Sequence, residues 1–214
     1  MQPNDPYAPY APPAPPPYGD AQALYRQNVL VPQGASTAPL LAPRIRNVKL
    51  ALGIAQIATG TVGLVLITAA VLVGDANVLL AAGVALFALS NLLLMAWAAL
   101  SLVWLHKFWS WIPPEQRHTS MWKKYISPNQ AAFFMLIPYF GFYWIFVMNL
   151  GIADILERMR VAYPTDKPPA KTIAMLNSIV PLLFFPAAPF LDYVFDKHVE
   201  GMAADMQARM RRHA

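Results

Sequence analysis

Two apolar stretches free of ionisable side chains dominate the hydrophobic pattern. No Asp, Glu, Lys, Arg or His occurs between Lys49 and Asp75, or between Asp75 and His106. A helix needs about 20 apolar residues to cross the hydrocarbon core of a bilayer, and each stretch exceeds that. The Leu, Ile and Val residues of the first stretch together favour insertion by about −4 to −7 kcal/mol before its small and polar residues are set against them. Helices apolar all round are not the surface elements of a soluble domain. The pattern predicts a transmembrane hairpin, with segments at about 50–74 and 78–105 that turn at Gly74-Asp75-Ala76-Asn77. Ala51, Ala55, Thr59 and Gly63 recur every four residues on the first segment. Ala81, Ala85, Ala88, Ala96 and Ala99 lie near one side of the second. Rows of small residues let helices approach closely in lipid, so these rows are the expected contact faces.

The second half is apolar too, but broken by proline. Ser127-Pro128-Asn129-Gln130 reads as a helix start: Ser127 caps, Pro128 suits the first helical position, and Gln130 completes a capping box. The run over 129–150 is interrupted at Pro138 and Gly141, where a kink or break is expected. It passes into an amphipathic stretch with Asp154 and Arg158 four apart. A proline-marked loop follows at 163–170. The fourth run, 173–191, contains Pro181, Pro186 and Pro189. From about 192 to 214 a two-faced helix is predicted. Its apolar stripe is Leu191, Val194, Phe195, Val199, Met202, Met206 and Met210, read as packing or lipid contact. Asp192, Asp196, Lys197, Glu200, Asp205 and Arg209 lie mostly opposite. The fold class is therefore an all-α membrane protein: a bundle of four membrane-embedded segments, two of them proline-broken spans or re-entrant segments.

Residues 1–43 read as a disordered, proline-rich cytoplasmic tail and linker, with a short helix over Asp20–Val31. Pro3, Pro6, Pro9, Pro12 and Pro15 recur every third residue, the period of polyproline II. Such a segment is a solvated tail or a docking peptide for a proline-binding groove. The first residues lack the basic start and apolar core of a signal peptide, so the stretch from Leu50 to Gly74 is expected to act as an uncleaved anchor.

Charge changes the picture by setting orientation. The chain of 214 residues is 57% hydrophobic and 13% charged, with formal net charge +5. Arg44, Arg46 and Lys49 precede the first run, and Lys107, Arg117, Lys123 and Lys124 follow the second, while the intervening turn has no Lys or Arg. The positive-inside rule puts both flanks in the cytoplasm and Asp75 outside. Two arrangements fit the rest. Four spans put Arg158, Arg160, Lys167 and Lys171 outside; two re-entrant segments, turning at Pro138–Gly141 and Pro181–Pro189, keep every basic loop inside. Four spans is the preferred reading, and both arrangements leave both termini cytoplasmic. Trp104, Trp109, Trp111 and Trp122 around the end of the second segment read as an interfacial belt. No basic patch carries interleaved aromatics away from a membrane flank, so nucleic acid is not an expected partner. There is no cysteine, which excludes thiolate and disulfide chemistry.

WLHKFW at Trp104–Trp109 and SPNQAAFFMLIPYFGFYWIFVMNLGIADIL at Ser127–Leu156 resemble a group of uncharacterised bacterial multi-pass membrane proteins. Their signature runs S-P-x-x-A-x-x-F-x-x-I-P-x-x-x-x-Y-W-x-F, then a G-[IL]-A-[DE] helix. Ser127, Pro128, Ala131, Phe134, Ile137, Pro138, Tyr143, Trp144, Phe146, Gly151, Ala153 and Asp154 match it, and Gly141 stands where an Asn is frequent. The resemblance implies a bacterial inner-membrane location and brings no activity or catalytic residue.

No nucleophile elbow, phosphate loop or metal-ligand spacing is present in the sequence. No enzyme and no cofactor are expected. Asp192, the acidic residue adjoining a membrane run, is a functional suspect by position, expected at the interface. Gln56, Asn91, Asn149 and Asn177 are placed to bond between helices. Two functions remain. One is a membrane scaffold or partner-binding protein acting through tail and C-terminal helix. The other is a small channel or transporter subunit with helices broken at Pro138 and Pro181. The expected partners are the lipid bilayer, a protein docking on the proline-rich tail, and a second copy of the chain.

Overall fold

The computed structural model describes residues 43–73 and 77–213. The proline-rich tail, the helix expected over 20–31 and the turn at Asp75 lie outside the described residues. Among the described residues the regular structure is helical: α1 (Pro43–Val73), α2 (Asn77–Trp111), α3 (Pro128–Phe133), α4 (Phe140–Ala162), α5 (Lys171–Leu183) and α6 (Ala188–His213). Helices α1, α2 and α4 are long and apolar enough to cross a membrane.

Helices α1 and α2 form the predicted hairpin, of 31 and 35 residues. At about 1.5 Å per residue both outrun the roughly 30 Å of a hydrocarbon core. Gly63, from the expected row of the first helix, is at their contact, but the expected alanine row of the second is not. Ala81, Ala85, Ala88, Ala96 and Ala99 are all exposed. The crossing is made at Gly63 and Gly83: a Cβ on Gly63 would lie 2.9 Å from the Gly83 carbonyl oxygen, and one on Gly83 would lie 2.8 Å from that of Gly63. Further down, Ser90 Oγ donates to the Gln56 carbonyl oxygen at 3.0 Å, while Asn91 bonds within its own helix to the Phe87 carbonyl. Glycine wins over alanine because only it lets two backbones touch. Beyond this seam the hairpin shows lipid-like surface, with Leu64, Val65, Leu72, Val78 and Leu92 all exposed.

The remaining helices gather at the hairpin's open end. Trp104, Trp109 and Trp111 are buried there rather than forming a belt, covered by α3, α6 and the 112–126 connection. Burial of Trp104 and Trp109 is possible because their indoles find acceptors: Trp109 Nε1 donates to the Ile126 carbonyl at 2.8 Å, and Trp104 Nε1 to Glu200. Trp122 is half-buried and meets the Trp144 ring edge-on at 5.3 Å.

Both proline-marked runs break. The capping box at Ser127 and Gln130 is present, but α3 ends at Phe133. A 3₁₀ turn follows, and Pro138 stops helical propagation. The chain reverses through Tyr139, at φ 61°, and α4 starts at Phe140. A Cβ on Gly141 would collide with the Met135 carbonyl oxygen, so this reversal requires glycine there. The fourth run yields only the 13 residues of α5, about 20 Å at the usual rise; Pro181 does not break this helix as expected but lies inside its last turn, and the chain leaves the helix at Phe184. A 3₁₀ turn over Phe185–Ala187 then leads into α6, which begins at Ala188, ahead of the expected 192.

The loop between α4 and α5 returns to the hairpin's open end. Arg158 donates to the His118 carbonyl at 2.9 Å, and Asp154 accepts from Ser120; both grip the connection after α2 instead of each other. His198 bonds to the Pro168 carbonyl at 2.8 Å and Thr165 to Asp205 at 3.1 Å, tying the loop to α6. The α6 stripe residues Phe195, Val199, Met202, Met206 and Met210 are buried as packing.

Candidate functional site

Arg46 and Lys49 lie three apart on the first turns of α1, hence on one face. Asp192, Asp196 and Glu200 repeat every four residues along α6, also on one face. The two helices run antiparallel, with Pro189 seated against Gly53, so acids meet bases in order. Lys49 Nζ lies 2.8 Å from Asp192 Oδ2 and 2.7 Å from Asp196 Oδ2. Arg46 Nη1 pairs with Glu200. Trp104 from α2 donates its indole N–H to Glu200 Oε1 at 2.7 Å, and its ring lies 5.0 Å beneath the Lys49 ammonium.

The pair at the centre is dry: the Lys49 side chain is 3% exposed and that of Asp196 0%. Buried charges persist only when paired, which explains why a flank expected to sit in headgroups has folded inward. Asp196 and Glu200, from the polar side of α6, are thus buried along with its apolar stripe. Burial first, and then the neighbouring Asp192 carboxylate, hold the Asp196 carboxyl well above its usual range, against the opposing pull of Lys49. A raised acid favours the fold most below its unfolded value, 3.8, and that contribution fades as pH climbs toward the folded value. The melting temperature in detergent is therefore expected to fall as pH rises from about 4. Asp196→Asn, which cannot titrate, is expected to flatten that slope; an unchanged slope overturns the assignment.

Asp192 faces two ways. One side meets Lys49, and the other lines a cavity of about 280 Å³ between α2, α4, α5 and α6. Asn149, Asn177, Ser178 and Pro181 line the same cavity, with Trp97 and Ser101. Asn149 bridges helices by donating to Ser178 Oγ at 3.1 Å. Asn177 is only 8% exposed, and no hydrogen-bond partner for its carboxamide is found among the described residues. The Trp97 indole N–H is likewise buried without an acceptor. An indole N–H left so costs about 1–3 kcal/mol.

Four residues singled out in the sequence, Asn149, Asn177, Pro181 and Asp192, therefore meet at one cavity. The others serve the fold around it. Ser127 and Pro128 start α3, and Pro138 and Gly141 make the reversal. Fully buried Trp144 donates to the Ala131 carbonyl at 2.9 Å. Tyr143 stays 41% exposed, and Asp154 holds the 116–120 connection. Sequence reasoning missed Arg46, Lys49, Trp104, Asp196 and Glu200 as a cluster. The signal was the three-residue step of bases and four-residue step of acids, visible but indistinguishable from solvated faces without knowing that α1 and α6 pair. The carboxylates already face Arg46, Lys49 and Trp104, and no group of three or more residues placed to hold a metal ion occurs among the described residues. Comparison with family models, curated proteins and solved structures gives no match to this chain.

Proposed function

We propose that this chain is a multi-pass inner-membrane protein of a bacterium, anchored by the α1–α2 hairpin, with a cytoplasmic body from which the proline-rich tail captures a protein partner as a scaffold. The observation that carries the reading is the gathering of every other helix at the hairpin's open, basic end. From Gly53 to Val73, α1 offers about 20 residues, roughly 30 Å, of apolar surface beyond the body, one hydrocarbon thickness. On this reading the two proline-broken runs are re-entrant: their tips, with exposed Leu136, Tyr139, Phe142, Leu183, Phe184 and Phe190, dip into the cytoplasmic leaflet around the hairpin base. Broken backbone is tolerated there because protein covers it. Backbone contact at Gly63 and Gly83 fills the hairpin seam and disfavours a path through one copy.

The test uses the absence of native cysteine. Asp166→Cys, at an exposed loop position, is expected to react with an impermeant maleimide only after the inner membrane is opened; labelling from the periplasm overturns the two-span reading in favour of four spans. Removal of residues 2–43 is expected to abolish partner cross-linking while membrane insertion is unchanged. Cross-linking that survives the deletion shifts the scaffold surface to the body.

A further inference from the structure

We propose that the cavity beside Asp192 is a binding site for the head group of an aminophospholipid entering from the bilayer. The inference rests on the membrane reading and goes beyond it. Asp192 is the sole ionisable residue lining the cavity, so the site favours a cation. Its Oδ2 is engaged by Lys49, and its side chain is still 20% exposed, which leaves carboxylate surface for a second donor. Asn177, which lines the cavity and is 8% exposed, supplies amide N–H groups for which no acceptor is found among the described residues. A ligand that satisfies both Asp192 and Asn177 carries an ammonium and an anionic oxygen together. Leu136 and Leu182, two lining residues that are 59% and 48% exposed, put the mouth at the apolar tips, where lipid arrives. At about 280 Å³ the cavity is at the small end of ligand sites, with room for a head group while the acyl chains stay outside.

Phosphatidylethanolamine carries a hydrogen-bonding ammonium beside a phosphate. Phosphatidylcholine carries the same charges without ammonium N–H donors, and phosphatidylglycerol lacks the cation. The full chain, first shown to remain in membranes after a carbonate wash, is titrated in detergent with each lipid and its bound states counted by native mass spectrometry. Phosphatidylethanolamine is expected to bind at least tenfold tighter than the other two. Asn177→Leu removes the amide, and Leu182→Trp, a surface change at the mouth, blocks entry; each is expected to erase that preference. Soluble phosphoethanolamine is expected not to compete; competition at equal concentration transfers the site to a free metabolite and overturns the lipid source. Equal retention of all three lipids, or a wild-type preference in Leu182→Trp even where Asn177→Leu fails to fold, overturns the proposal. Loss of the chain to the carbonate wash overturns the membrane reading itself.

Discussion

Lys49→Met is expected to release α6 from the hairpin. The ammonium is the cation for both Asp192 and Asp196, at 2.8 and 2.7 Å. Methionine keeps the length and apolar stem of lysine but leaves two carboxylates facing each other with the cation gone. Removing one partner of a buried pair costs about 3–5 kcal/mol, a large share of the stability of a body this size. The loss is expected as a lower melting temperature in detergent and as faster amide exchange along α6, with exchange in the outer half of the hairpin unchanged. The companion variant Lys49→Met, Asp192→Asn, Asp196→Leu removes the charges on both sides, and buried pairs replaced whole by apolar groups are often neutral. It is expected to recover most of the loss. A single variant that melts with the wild type, or a triple variant no better than the single, removes the cluster from its clamping role.

How legible was this arrangement? The hairpin was, because bilayer insertion depends on composition along one segment, and no partner is needed to read it. The capping box at Ser127 was legible for the same reason: its bonds are local. The break at Pro138 was foreseeable as a break, but its geometry was not, since reversal through Tyr139 depends on Gly141 passing the Met135 carbonyl; Pro181 was expected to break its helix and instead lies inside α5, the chain leaving the helix only at Phe184. The tryptophans were misread because an indole at a helix end satisfies the rule for an interfacial belt and the rule for a core equally. Trp109 was decided by the Ile126 carbonyl, supplied from another part of the chain. Lys49 failed similarly. A lysine before an apolar run is ordinarily a topology signal, and only the acids of α6, some 140 residues on, turn it into the centre of a buried network. Asn149, expected to bond between helices, donates to Ser178 of α5, whereas Asn177, given the same role, has no such bond among the described residues, and Asn91 turns back on its own helix.

Gly83→Leu is expected to open the hairpin. Between two helices in lipid there is no hydrophobic drive, because the tails are as apolar as leucine itself; close contact has to supply the association. A Cβ at Gly83 meets the Gly63 carbonyl oxygen at 2.8 Å and the Ile67 backbone nitrogen at 2.9 Å. These atoms belong to a helix and cannot rotate away as a side chain would. Overpacking of this kind costs about 1–3 kcal/mol, occasionally more, and here it also lengthens every neighbouring contact, including the Gln56–Ser90 bond. Spin labels at Val62 and Phe87, both exposed, are expected to report a longer and broader distance in Gly83→Leu than in the parent. Ala85→Leu is the control. It places the same side chain two residues along the helix, on the exposed alanine row, and is expected to leave both distance and melting temperature unchanged. If Ala85→Leu separates the helices and Gly83→Leu does not, the alanine row is the seam after all. The glycine contact, and with it the argument that no path runs through a single hairpin, would then be lost.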